Sequence, residues 1–111
     1  MIVKAWNGGN NRAGYGIRIY RRDREQYFRE EWKDIQIRIA GGHEFICSLA
    51  PSFWGTCSEI RSIAFRELFA EMGCIKKTRT GWERIWKKRK PPKFYLTPTS
   101  GRHFTLKKCN N

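Results

Sequence analysis

The sequence predicts an α+β fold, mainly β: six or more short, mostly antiparallel strands in a partly closed barrel with two flanking helices. Three observations carry this expectation. Apolar and polar residues alternate over several short stretches, most cleanly between Asp34 and Leu49. Most neighbouring stretches are joined by connections that suit hairpins. Only two stretches have the apolar spacing of a helix, enough to cover the openings of a small barrel.

In chain order, "IVKAW" (Ile2 to Trp6) reads as a strand. "NGGNNRAGYG" (Asn7 to Gly16) is a loop of residues that tolerate positive φ. "YGIRIY" (Tyr15 to Tyr20) alternates, with Ile17 and Ile19 on one face and Arg18 and Tyr20 on the other. "RDREQYFREEW" (Arg22 to Trp32) reads as a short helix with Tyr27, Phe28 and Trp32 on adjoining positions. "DIQIRIAGGHEFICSL" is the clearest hairpin: Ile35, Ile37 and Ile39 alternate with polar residues, "AGGH" turns, and Phe45, Cys47 and Leu49 share a face of the return.

"APSFWG" (Ala50 to Gly55) connects to the longer helix. Thr56 is its expected N-cap and Glu59 completes a capping box. Ile60, Ile63, Ala64, Leu68 and Met72 form its stripe, broadened by Phe65 and Phe69, and Gly73 stops it. After a basic segment, "KFYLTP" and "RHFTLKK" read as two strands around "TSG", with Phe94, Leu96, Phe104 and Leu106 facing inward.

With 111 residues the chain is expected to form one domain, residues 1–111, and its 40% apolar and 14% aromatic content is enough for a core. No apolar run reaches the length of a membrane span. "MIVKAWNGG" lacks the apolar stretch of a signal peptide, so a cytoplasmic location is the expectation. Cys47, Cys57, Cys74 and Cys109 show no close pairing and read as reduced thiols.

The net charge of +13 points to a polyanionic partner. The charge is uneven: residues 1–22 carry +5, residues 23–72 carry −3, and residues 73–111 carry +11. The excess at both ends of the chain suggests one surface built from both.

Several chemistries fail on their spacing. "GNNRAG" lacks the Gly-Lys-Ser/Thr of a phosphate loop, and "GYGIRI" lacks the rest of a dinucleotide fingerprint. His43 and Cys47 would face the same side of a strand, but zinc ligands usually lie closer in sequence, so no metal or other cofactor is expected. Cys57, near the expected start of the longer helix, reads as structural. A metal nuclease needs clustered carboxylates, and the acids fall mostly in helix-like stretches. His43 and His103 are the candidates for a metal-independent ribonuclease or toxin.

Binding is the stronger signal. Asn7, Asn10, Asn11 and Arg12 are residue types that read base edges. Arg18, Tyr20, Arg21 and Arg22 extend this group along the next strand. "KKTRTGWERIWKKRKPPKF" (Lys76 to Phe94) holds nine bases and one acid. If Gly81 to Arg89 is helical, Trp82, Ile85, Trp86 and Arg89 share a face, and the tryptophans anchor the segment. Arg79, Arg84, Lys87, Lys88, Arg89 and Lys90 are then phosphate contacts. Tryptophans stacking on an unpaired strand are the alternative, which makes RNA or single-stranded DNA the second partner after double-stranded DNA. A defence-system or mobile-element protein docking on an acidic partner is a further reading.

The segments "GYGIRIYRRDREQYF", Trp32, "IQIRIAGGHEFICSL" and "PKFYLTPTSGRHFTL" follow an order that resembles the DNA-binding pseudobarrel over Ile2 to Leu106. That fold serves plant auxin-response-type transcription factors and the effector domains of some restriction endonucleases. The resemblance implies two arms gripping the major groove of duplex DNA. Asn7 to Arg12 with Arg18 to Arg22 match the first arm, and "APSFWG" the place of the second. Here the conspicuous basic segment follows the longer helix instead.

Overall fold

Period-two alternation sets the strands in the computed structural model, which describes residues 1–7, 14–39, 42–55, 58–75, 77–78, 81–82, 86 and 90–109. β1 (Ile2–Asn7) buries Val3 and Ala5 and turns Lys4 outward. β2 (Tyr15–Arg18) and the residues after it bury Ile17 and Ile19 and expose Arg18 and Tyr20. β3 (Asp34–Ile39) and β4 (Glu44–Ser48) form the expected central hairpin, burying Ile35, Ile37, Ile39 and Cys47.

Two helices flank the sheet, and both differ from expectation at their ends. α1 covers Arg21–Tyr27 rather than extending to Trp32. Phe28 leaves the helix in an extended conformation and stacks on Phe104 at 5.0 Å, with Phe53 and Trp32 edge-on around it. Aromatic packing with distant strands thus outweighs one more helical turn.

The capping box is also replaced. Glu59 lies in a short strand, β5 (Glu59–Arg61), which covers the free edge of β2. Ser62 is the N-cap of α2 (Ile63–Glu71), its Oγ accepting from the Ala64 N–H at 3.2 Å. Thr56 lies outside the described residues. Ile60 belongs to the strand, and Ile63 is 74% exposed, so the buried face of α2 is Phe65, Leu68 and Phe69. Gly73 ends the helix as expected, at φ +74, with its N–H on the Ala70 carbonyl and the Cys74 N–H on the Phe69 carbonyl.

Two short strands, β6 (Lys77–Thr78) and β7 (Gly81–Trp82), pair with each other, so a helix starting at Gly81 is not formed at its first two residues. Trp86 is buried edge-on against Tyr15 and Phe69. β8 (Lys93–Ser100) and β9 (His103–Lys108) form the last hairpin around Gly101, and β8 runs further than "KFYLTP".

The main sheet has the order β4-β3-β9-β8-β1-β2-β5. The β3–β9 pair is parallel and the other pairs are antiparallel. The terminal strands β4 and β5 approach each other, giving a nearly closed mixed barrel. This is a pseudobarrel-like topology. Phe53, Phe65, Phe69, Phe94 and Phe104 fill the barrel with the inward isoleucines and leucines.

One cation is part of this interior. Arg24 of α1 is buried, and its Nη1 donates to the carbonyls of Phe53 and Gly55 and to Ser58 Oγ at 2.8–3.0 Å. Trp54 lies against the same guanidinium, 5.5 Å from its ring centroid. Arg24 therefore ties α1 to the β4–β5 connection, including its 3-10 turn (Pro51–Trp54). Arg24→Met keeps an apolar stem and removes the donors. It is expected to cost about 3 kcal/mol, read as a lower urea midpoint; an unchanged midpoint would exclude this role.

Among the described residues Cys47, Cys74 and Cys109 are buried, and Cys47 and Cys109 are free thiols. Burial pushes the Cys47 thiol from 9.0 to about 12. The folded state thus holds this proton more tightly than the unfolded state. The stabilisation is complete below pH 9 and is lost as pH rises from 9 towards about 12. Its loss should steepen alkaline destabilisation by up to about 1.4 kcal/mol per pH unit. Urea unfolding of Cys47→Ala across that window should show a shallower slope than the parent; equal slopes would contradict it.

Candidate nucleic-acid interface

Directly opposed residues of paired strands point to the same face of a sheet, so the register assembles the outer surface in rows. One row is Lys107–Tyr95–Ile2, crossing β9, β8 and β1. The next is Lys93–Lys4–Arg18–Glu59, crossing β8, β1, β2 and β5. A third is Trp6–Gly16–Arg61. Lys4, Arg18, Arg61, Lys93 and Lys107 are all exposed on this face.

A buried acid organises two of these cations. The Glu59 side chain is 5% exposed, and its Oε1 accepts from Arg18 Nη2 at 2.6 Å and Nε at 3.2 Å. Its Oε2 accepts from Arg61 Nη2 at 3.1 Å. Arg61 also lies over Trp6, 4.5 Å from the ring centroid. Gly16 sits between Trp6 and Arg61 in the row, and a Cβ there would collide with the Ile60 carbonyl oxygen. The trio of Arg18, Glu59 and Arg61 keeps one net positive charge, and Lys4, Lys93 and Lys107 stand beside it.

The two connections expected to act as arms join the sheet at opposite ends of β2. The β1–β2 connection starts from the Asn7–Tyr15 pair. The β4–β5 connection returns at the other end, where the Ile19 N–H donates to the Ser58 carbonyl at 2.8 Å. The basic outer face of β1, β2 and β5 therefore lies between them. α1 begins beside the second connection and adds exposed Tyr20, Arg21 and Arg22. Arg21 pairs with Glu25 at 3.2 Å and Arg22 with Asp23 at 3.8 Å, both through Nε.

Of the residues expected to bind, the fold brings Arg18, Tyr20, Arg21 and Arg22 to one region, with Asn7 at the end of the neighbouring strand. Lys90 is exposed and lines a cavity with Lys93. Asn10, Asn11, Arg12, Arg79, Arg84, Lys87, Lys88 and Arg89 lie outside the described residues, as does Cys57. Lys4, Lys93, Lys107 and Arg61 were not singled out by sequence reading. Lys4 and Lys93 were legible as outward positions of strands, but their alignment with Arg18 comes from long-range pairing.

The two histidines are not brought together. His103 opposes Gln36 on one flank of β3, while the His43 carbonyl accepts from Ile39 on the other. Strand spacing puts them about 14 Å apart, beyond shared proton transfer. His43 is exposed in the turn before β4, whereas Cys47 is buried in β4. Among the described residues no group of three or more His, Cys, Asp or Glu could hold a metal ion. No helix among them is long and apolar enough to cross a membrane.

No family model matches the chain, and neither the curated proteins nor the solved structures contain a match.

Glu59→Gln would leave Arg18 and Arg61 converging without a counter-charge. The expected loss is about 2 kcal/mol of unfolding free energy, measured in urea. A wild-type midpoint would show that the acid does not organise the pair.

Proposed function

We propose that the protein binds duplex DNA through the outer face of β8, β1, β2 and β5. The observation that carries this reading is the row of Lys93, Lys4 and Arg18 across three strands, flanked by Lys107 and by Arg21 and Arg22. These cations suit phosphates, which give affinity and register without sequence information. The pseudobarrel-like topology supports the same reading, because the fold it resembles grips duplex DNA with two arms.

A two-stranded ribbon fits the major groove of B-form DNA. β1 and β2 are flanked by β8 and β5 in the sheet, so the candidate for such an entry is their connection, which carries Asn10, Asn11 and Arg12 in sequence. Any base reading is assigned to these residues and Asn7. The lysine- and arginine-rich segment after α2 adds phosphate contacts, from Arg79 and Arg84 to Lys87, Lys88, Arg89 and Lys90.

Binding should weaken steeply with salt. For six phosphate contacts the slope of log affinity against log salt is roughly −5. Lys4→Gln combined with Lys93→Gln should reduce its magnitude by about 2 while leaving the fold intact. Fluorescence anisotropy with duplex DNA, single-stranded DNA and structured RNA at matched salt tests this. Salt-insensitive binding, or a slope unchanged in the double variant, would refute the proposed face. Tighter binding to structured RNA would transfer it to RNA.

A further inference from the structure

We infer that the cavity beside Tyr95 accepts one unpaired nucleobase of the DNA held on the adjoining face. The protein then prefers a duplex with an unpaired nucleotide to a fully paired one. This rests on the DNA-binding reading above.

The cavity has a volume of about 450 Å³, within the range that small ligands occupy. Ile2 and Tyr95 of the outer face form one wall, and Pro91 and Pro92 contribute to the lining. Lys90 and Lys93 also line it, so apolar surface and ammonium groups meet in one place. Lys93 belongs at once to this cavity and to the Lys93–Lys4–Arg18 row. A strand whose phosphates follow the row thus passes the cavity mouth.

The chemistry of the lining selects the occupant. Free phosphate would leave the tyrosine and proline walls unused. A neutral apolar ligand would leave the lysines unused. A nucleotide uses both: its base stacks on an aromatic ring and its phosphate meets a cation. A paired base cannot do this, because its faces are covered by its neighbours in the duplex. Tyr95 is 46% exposed and directly opposes Ile2, which is also exposed, so an apolar platform lies open beside the row of Lys93, Lys4 and Arg18.

The test compares three duplexes by fluorescence anisotropy at one salt concentration: fully paired, with one central unpaired adenine, and with that nucleotide lacking its base. The unpaired adenine should bind about tenfold more tightly than the paired duplex, and removing its base should abolish the gain. Tyr95→Ser should abolish the preference for the adenine-bulged over the paired duplex; Tyr95→Phe should retain it. Equal affinity for paired and adenine-bulged duplexes, with the salt slope preserved, overturns the cavity assignment and leaves DNA binding standing. A gain that survives removal of the base, or survives Tyr95→Ser, also overturns it. Failure of every duplex to bind overturns the DNA-binding reading itself.

Discussion

The barrel depends on one insertion: the β8–β9 hairpin enters between the first strand and the central hairpin. β8 pairs with β1, and β9 pairs in parallel with β3. Without it, β1 and β3 would each present an unpaired edge, and the β3–β4 hairpin and the three strands β1, β2 and β5 would each carry half a core. Phe94, Leu96, Phe104 and Leu106 are almost wholly buried because they lie where the two halves meet. The same pairing brings Lys93 alongside Lys4 on the outside. Core and basic face are thus two sides of one seam.

Two ionic groups hold what the seam leaves loose, and they do so with opposite signs. Arg24 is a cation held by two carbonyls and a hydroxyl, and Glu59 is an anion held by two guanidiniums. Burying either alone would be costly. Each is retained with partners, and each joins separate parts of the chain: α1 to the β4–β5 connection, and β2 to β5. Hydrogen bonds of this kind specify one arrangement more sharply than apolar contact does, because a shifted element leaves a charge unpaired. The outer face inherits that definition, since Arg18 and Arg61 are held rather than free to wander.

Local pattern revealed the strands well and the joints poorly. "DIQIRI" alternates over six residues, and its buried and exposed sides followed directly. Glu59, Ile60 and Arg61 alternate too, but three residues are too few to compete with a Thr-x-x-Glu pattern and an apolar stripe. Helix spacing at Phe28 and Trp32 was real in the sequence, yet Phe28 is drawn to Phe104, far away in the chain. Arg24 looked like any charged helix residue because its acceptors lie around residue 55. The uneven charge leads to the expectation of a basic surface from both chain ends, but the row of Lys93, Lys4 and Arg18 is a matter of register. Register across distant strands has no local signature.

Gly16 shows how such a face can mislead. It lies beside the row of Lys93, Lys4 and Arg18, flanked by Trp6 and Arg61, where the backbones of β2 and β5 come too close for any side chain. A substitution scan scored only by ligand capture would rank it among the decisive positions. Its effect would arise from forcing β5 away from β2, with Glu59 and Arg61 carried along, and no ligand need ever touch it. Scoring the same library for soluble folded protein separates such positions from true contacts. On a small barrel whose binding surface is the back of its own sheet, the two classes are interleaved residue by residue.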